Sequence, residues 1–86
     1  MSRYRIELRP AAVKALRKIE AQDRGRVQGA IVLLGEDPRP PGAKALQSRD
    51  GLRVRVGNYR IIYFIHDDVL LIVVVTVGHR KDVYDR

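Results

Sequence analysis

Three arginines, Arg53, Arg55 and Arg60, flank the dipeptide Gly57-Asn58 at a spacing that decides where their side chains go. Leu52-Arg53-Val54-Arg55-Val56 alternates apolar and basic residues, the period of a half-buried strand. Gly57-Asn58 suits a two-residue hairpin loop, and Tyr59 to His66 resumes an extended, β-branched and aromatic pattern. With a loop of that length Arg55 stands opposite Arg60 and Arg53 opposite Ile62, and residues directly opposite share a face. The three guanidinium groups therefore project from one side of the ribbon. Val54, Val56, Tyr59, Ile61 and Tyr63 project from the other. Like charges set opposite each other destabilise a hairpin, so a multivalent anion such as a phosphate chain is the natural counter-charge. A solvated basic face is the alternative.

The last nine residues, Gly78 to Arg86, are too short and too charged for another core element and are expected to lie over the sheet as a tail. They add His79, Arg80, Lys81 and Tyr84 at the same end of the sheet. Tyr84 stacking on a base while Arg80 meets a phosphate is the aromatic-plus-cation combination of single-stranded RNA binding. The other reading has Val83 and Tyr84 pinning the end of the chain to the core. His66, Asp67 and Asp68 are metal ligands by type, but they sit at a chain reversal and are expected to be turn residues. No metal or other cofactor is expected, no Ser, His and acid arrangement stands out, and Gly25 and Gly29 are isolated rather than part of a phosphate-binding loop.

These side chains must be positioned by a chain of 86 residues, which allows one domain, 1–86, with a modest core. The absence of cysteine excludes disulfides, thiolate metal sites and a cysteine nucleophile. Lys and Arg number 17 against 10 Asp and Glu, a net charge of +7 spread along the chain, which suits a polyanion or an acidic protein as partner. The longest strictly apolar run, Val69 to Val75, falls far short of the roughly 20 residues that span a bilayer. With no signal-peptide pattern at the start, a cytoplasmic protein with no membrane partner is expected.

Tyr4 to Arg9 alternates as a strand and Pro10 ends it. Val13, Leu16 and Ile19 recur at helical spacing, with Pro10 in the first turn, where proline is tolerated. Asp23 is the expected N-cap of a second helix carrying Val27, Ile31 and Leu34 and stopping near Gly35. Glu36 to Gly42, with three prolines, reads as a loop and Gln47 to Gly51 as a polar connection. Asp67-Asp68 makes a second reversal, and Val69 to Val77, apolar on both alternations, is expected to be a central strand. The fold class is α+β: a strand, a helical hairpin, then a three-stranded antiparallel meander, in one sheet with the helices on one face.

This order, together with the Arg55-x-Gly57-x-Tyr59-Arg60-x-x-Tyr63 hairpin and the Arg80-x-x-x-Tyr84 tail, resembles the RelE/ParE superfamily of bacterial toxins, and specifically its RelE branch. The resemblance implies a RelE-like fold and a ribosome-dependent endoribonuclease that cuts mRNA in the A site by attack of the 2′-hydroxyl on the adjacent phosphate. It also implies an acidic, RelB-like antitoxin that holds the toxin inactive, with operator DNA met only through that complex. By position, Arg60 and Arg80 are similar to the family's phosphate and transition-state stabilisers. Arg53 and Arg55 are similar to its basic pair, and Tyr84 to the aromatic that orients the substrate. Lys81 joins Arg53, Arg55 and Tyr84 as an RNA contact.

Many active relatives have lysine where this chain has Arg53 and Arg55. A guanidinium stays protonated at ordinary pH and is a poor general base. That leaves the base open, with His79 as the candidate by its titration range and ribosomal surroundings as another source. Two other readings stand beside the nuclease: a ParE-like inhibitor of DNA gyrase, and a catalytically inactive domain whose basic face binds nucleic acid or an acidic protein.

Overall fold

Pro10 opens the first helix because its ring fixes a helical φ and its missing N–H would have had no intrahelical partner there. In the computed structural model, which describes residues 3–47 and 50–79, β1 (Arg5–Leu8) leads into α1 (Pro10–Lys18) and then α2 (Ala21–Leu34). α1 buries Ala12 and Leu16, and Ile19 follows on the same side as the chain turns extended. One side chain reaches three carbonyls at this helix end, of which Leu16 O also accepts from the Ile19 N–H at 3.2 Å. Arg24 donates from Nε to Leu16 O at 2.9 Å and from Nη2 to Arg17 O and Ile19 O at 3.2 and 2.7 Å.

α2 begins at Ala21, so the sequence expectation of Asp23 as its cap is corrected. Glu20 holds the cap position with no side-chain bond, and Asp23 lies in the first turn, where its charge complements the helix dipole. The buried Ile19 leaves so short a connection that the second helix restarts at once. Val27, Ile31 and Leu34 face inward as their spacing predicts, and Gly35 closes the helix in right-handed conformation. The Gly35 carbonyl accepts from the N–H groups of Arg3 and Tyr4, at 3.1 and 2.9 Å, tying the helix end to the start of β1.

The remaining strands are β2 (Lys44–Ala45), β3 (Leu52–Val56), β4 (Tyr59–His66) and β5 (Leu71–His79). They form one sheet in the order β1-β5-β4-β3-β2, with β1 parallel to β5 and the other neighbours antiparallel. The helices cover one side. Ile61, Tyr63, Ile72 and Val74, all fully buried, meet Ala12, Leu16, Val27 and Ile31 there. Each large apolar side chain so buried contributes about 2 kcal/mol before chain entropy is counted.

Three boundaries differ from the sequence expectation. β2 adds a fifth strand between the expected loop Glu36 to Gly42 and the polar connection Gln47 to Gly51, where no element was expected. The second reversal is Asp67 to Leu70, so Val69 and Leu70 belong to the turn, 55% and 41% exposed, and Leu70 takes a positive φ of 52°. β5 in turn runs on through Gly78 and His79, which the sequence assigned to the tail. Its central place, between β1 and β4, is as expected.

The side of the sheet away from the helices is not bare. Leu46 is buried although it follows an edge strand, and its N–H donates to Gly51 O at 3.1 Å. Gly51 has φ 121°, and a Cβ there would come within 3.1 Å of both Leu46 and Phe64. Leu46 and Phe64 close over this side beside Ile62, which is completely buried yet outside the helix-side cluster.

At the far end of β4 a polar clasp joins distant segments. Asp67 accepts from Tyr4 Oη at 2.6 Å and from Arg39 Nη2 at 2.9 Å, and Tyr63 donates from its hydroxyl to Pro38 O at 2.7 Å. The Arg39 guanidinium and the Tyr4 hydroxyl hold the Asp67 carboxyl below its ordinary range. Burial pushes the Tyr63 hydroxyl up to about 12.

Candidate nucleic-acid interface

The hairpin between β3 and β4 turns on Gly57, whose φ of 59° is the sign that the first position of a II′ loop requires. Such a loop fixes the pairing without slack. Val56 stands opposite Tyr59, Arg55 opposite Arg60, Val54 opposite Ile61 and Arg53 opposite Ile62. The expected register is therefore the observed one, and Arg53, Arg55 and Arg60 share the side of the sheet away from the helices. Val54, Val56 and Tyr59 pack against the helix-side core.

On this face Arg60, Ile62 and Phe64 alternate along β4, so the arginines stand beside an apolar floor rather than on open backbone. The Nε atoms of Arg53 and Arg60 are shielded from solvent, while the Arg55 side chain is exposed. The β5 partner of Arg60 is Gly78, which has no side chain, and the partner of Ile62 is Thr76. β2 brings in Lys44, directly opposite Arg53. Four cations thus occupy one face across three strands.

That concentration suits a chain of phosphates. Arginines offer planar forks for bidentate contact, and a multivalent anion relieves the repulsion between groups set opposite each other. An ion pair between Arg39 and Asp67 lies at the other end of β4.

His79 is on the opposite side. It pairs with Tyr59, and the two rings meet edge to face with centroids 5.6 Å apart and planes at 76°. They line a cleft of about 370 Å³ against α1, with Ala15, Lys18 and Ile19. The sequence expectation that grouped His79 with the arginines is corrected by this register. The other tail candidates, Arg80, Lys81 and Tyr84, lie outside the described residues.

Lys44 and Thr76 were missed by sequence reasoning. Lys44 sits in a strand of two residues, too short to show a period, directly after a segment broken by prolines and glycine. The facing of Thr76 depends on an irregularity in β5: Ile62 pairs with Thr76 but Tyr63 with Val74, so Val75 is passed over and the inward side changes parity.

Comparison with known proteins agrees with this architecture. The family model described as the ParE toxin of type II toxin–antitoxin system, parDE, matches residues 6–84. A protein of Escherichia coli described as a RelE-like toxin is 29% identical over 87 residues, covering 96% of this chain and 92% of its own. The crystal structure of the toxin–antitoxin complex RelBE2 from Mycobacterium tuberculosis is similar at a TM-score of 0.82 and 26% identity, covering 95% of this chain and 97% of that one. The archaeal RelE–RelB complex from Pyrococcus horikoshii is similar in fold, at a TM-score of 0.79 and 23% identity over 94% of this chain and 99% of that one.

Proposed function

The chain belongs to the ParE toxin family of type II toxin–antitoxin systems, within the RelE/ParE superfamily, and from that premise we propose that it cleaves mRNA in the ribosomal A site. The observation that carries this reading is the convergence of Arg53, Arg55 and Arg60 on one face through the tight β3–β4 hairpin. In the reaction the 2′-hydroxyl oxygen attacks the adjacent phosphorus, its proton passes to a base, and the bond to the 5′-oxygen breaks as that oxygen takes a proton from an acid. A cyclic phosphate and a 5′-hydroxyl end result. Charge accumulates on the non-bridging oxygens, where preorganised guanidinium donors lower the barrier.

Arg60, with Arg55 beside it, is the proposed clamp on that charge, and Arg53 holds the neighbouring backbone. Arg80 as a second stabiliser, Tyr84 as the stacking group and Lys81 as an RNA contact complete the proposal. His79 is not assigned as the base, because its ring faces α1; ribosomal groups are the proposed source of proton transfer. The partner is proposed to be an acidic, RelB-like antitoxin that covers the arginine face and through which operator DNA is met.

The test is to map 5′ ends of a translated message with the wild type and the variant Arg60→Ala. Loss of one such donor is expected to slow cleavage by about 10²-fold. Cuts that persist unchanged would remove this site. The description of the matching family as ParE favours one second reading, inhibition of DNA gyrase. A supercoiling assay run alongside separates the two, since a nuclease leaves gyrase active.

A further inference from the structure

The basic face extends one strand beyond the hairpin. β2 pairs with β3 so that Lys44 stands opposite Arg53 and Ala45 opposite Leu52. Lys44 therefore shares the side of the arginines, and Ala45 turns the other way. The edge is fastened in place: the next residue, Leu46, is buried against the tight Gly51 bend. Opposing cations at this register run against sheet stability, so the placement suits a bound anion. With strands about 4.8 Å apart and residues advancing about 3.4 Å, the steps from Arg60 through Arg55 and Arg53 to Lys44 cover roughly 12 Å obliquely across the sheet.

We infer that Lys44 is a message-binding residue that takes a backbone phosphate next to the one gripped by the arginines, so that the RNA crosses the sheet from β4 toward β2. The inference rests on the RNA reading given above. A lysine suits this role, being a compact point charge on a flexible stem that can follow a phosphate without fixing its orientation. Its distance from the Arg55–Arg60 pair assigns it to binding rather than to the reacting bond.

The experiment measures binding of wild type, Lys44→Ala, Lys44→Arg and Arg60→Ala to ribosomes. The ribosomes are either empty or programmed with a message carrying 2′-O-methyl groups across the A-site codon, which blocks cleavage. Lys44→Ala is expected to weaken binding to programmed ribosomes by about three- to tenfold at moderate salt. It should also make the logarithmic salt dependence shallower by about 0.7, one phosphate contact on a single strand. Lys44→Arg should restore both, and neither variant should change binding to empty ribosomes.

A Lys44→Ala protein that matches the wild type on programmed ribosomes, or loses affinity equally for empty ones, overturns the inference. Provided that the wild type prefers programmed ribosomes and Arg60→Ala weakens that preference, the RNA reading survives such a result. A wild type that fails to distinguish the two kinds of ribosome overturns both.

Discussion

A single exposed carboxylate, Asp67, gathers Tyr4 from the start of the chain and Arg39 from the long loop onto the turn after β4. Because its folded value lies below the ordinary 3.8, it favours the folded state once ionised. That contribution is complete above the unfolded value and is lost as pH falls through the lower folded one. Tyr63 works at the other limit. Its neutral hydroxyl is the buried species, so its contribution is complete below the ordinary 10.0 and disappears as pH rises to about 12. Tyr4, raised by its bond to Asp67, acts in the same alkaline direction. Thermal midpoints measured across pH should therefore fall at both ends. Asp67→Asn is expected to lower the midpoint at neutral pH and flatten the acid limb. Tyr63→Phe should cost about 1 kcal/mol at neutral pH, by stranding the Pro38 carbonyl, and flatten the alkaline limb.

At the scale of elements, α2 is tied to the end of α1 by Arg24, which reaches back to the carbonyls of Leu16, Arg17 and Ile19. Charged hydrogen bonds to helix-terminal carbonyls make Arg24→Ala destabilising by about 1 to 2 kcal/mol in denaturant unfolding. Arg24→Lys should recover less than half, since an ammonium cannot fork across carbonyls on two turns. The hairpin that carries the arginines was legible in the sequence because strict alternation and a glycine at the loop leave one register. β5 was legible only as an element: the run from Val69 is uniformly apolar, so nothing marks where the turn stops. The passing over of Val75 also reverses which side its later residues face. That reversal puts His79 on the helix side, which counting along the strand does not reveal. β2 and Lys44 were illegible for a different reason, since two residues cannot display a period and their place is set by tertiary pairing with β3.

For the molecule as a whole, a net charge of +7 with four cations on one sheet face would make attraction to the acidic antitoxin proposed above long-ranged. The rate of association between toxin and antitoxin should drop by about tenfold or more between low and high salt, while the dissociation rate changes much less. Stopped-flow mixing at several ionic strengths measures both. A salt-independent association rate would mean that the basic face is not what the antitoxin meets first. Among the described residues no helix is long and apolar enough to cross a membrane.

The place of β5 has a bearing on biosynthesis. Fifth of the strands in chain order, it occupies the slot between the first and the fourth. As a nascent polypeptide emerges, β1 and both helices come out with no strand to close upon, and the antiparallel ribbon follows with one flank unfilled. Only β5, the last strand among the described residues, bridges the two halves. A copy still under construction therefore lacks the closed sheet, which forms in one late step rather than growing with length.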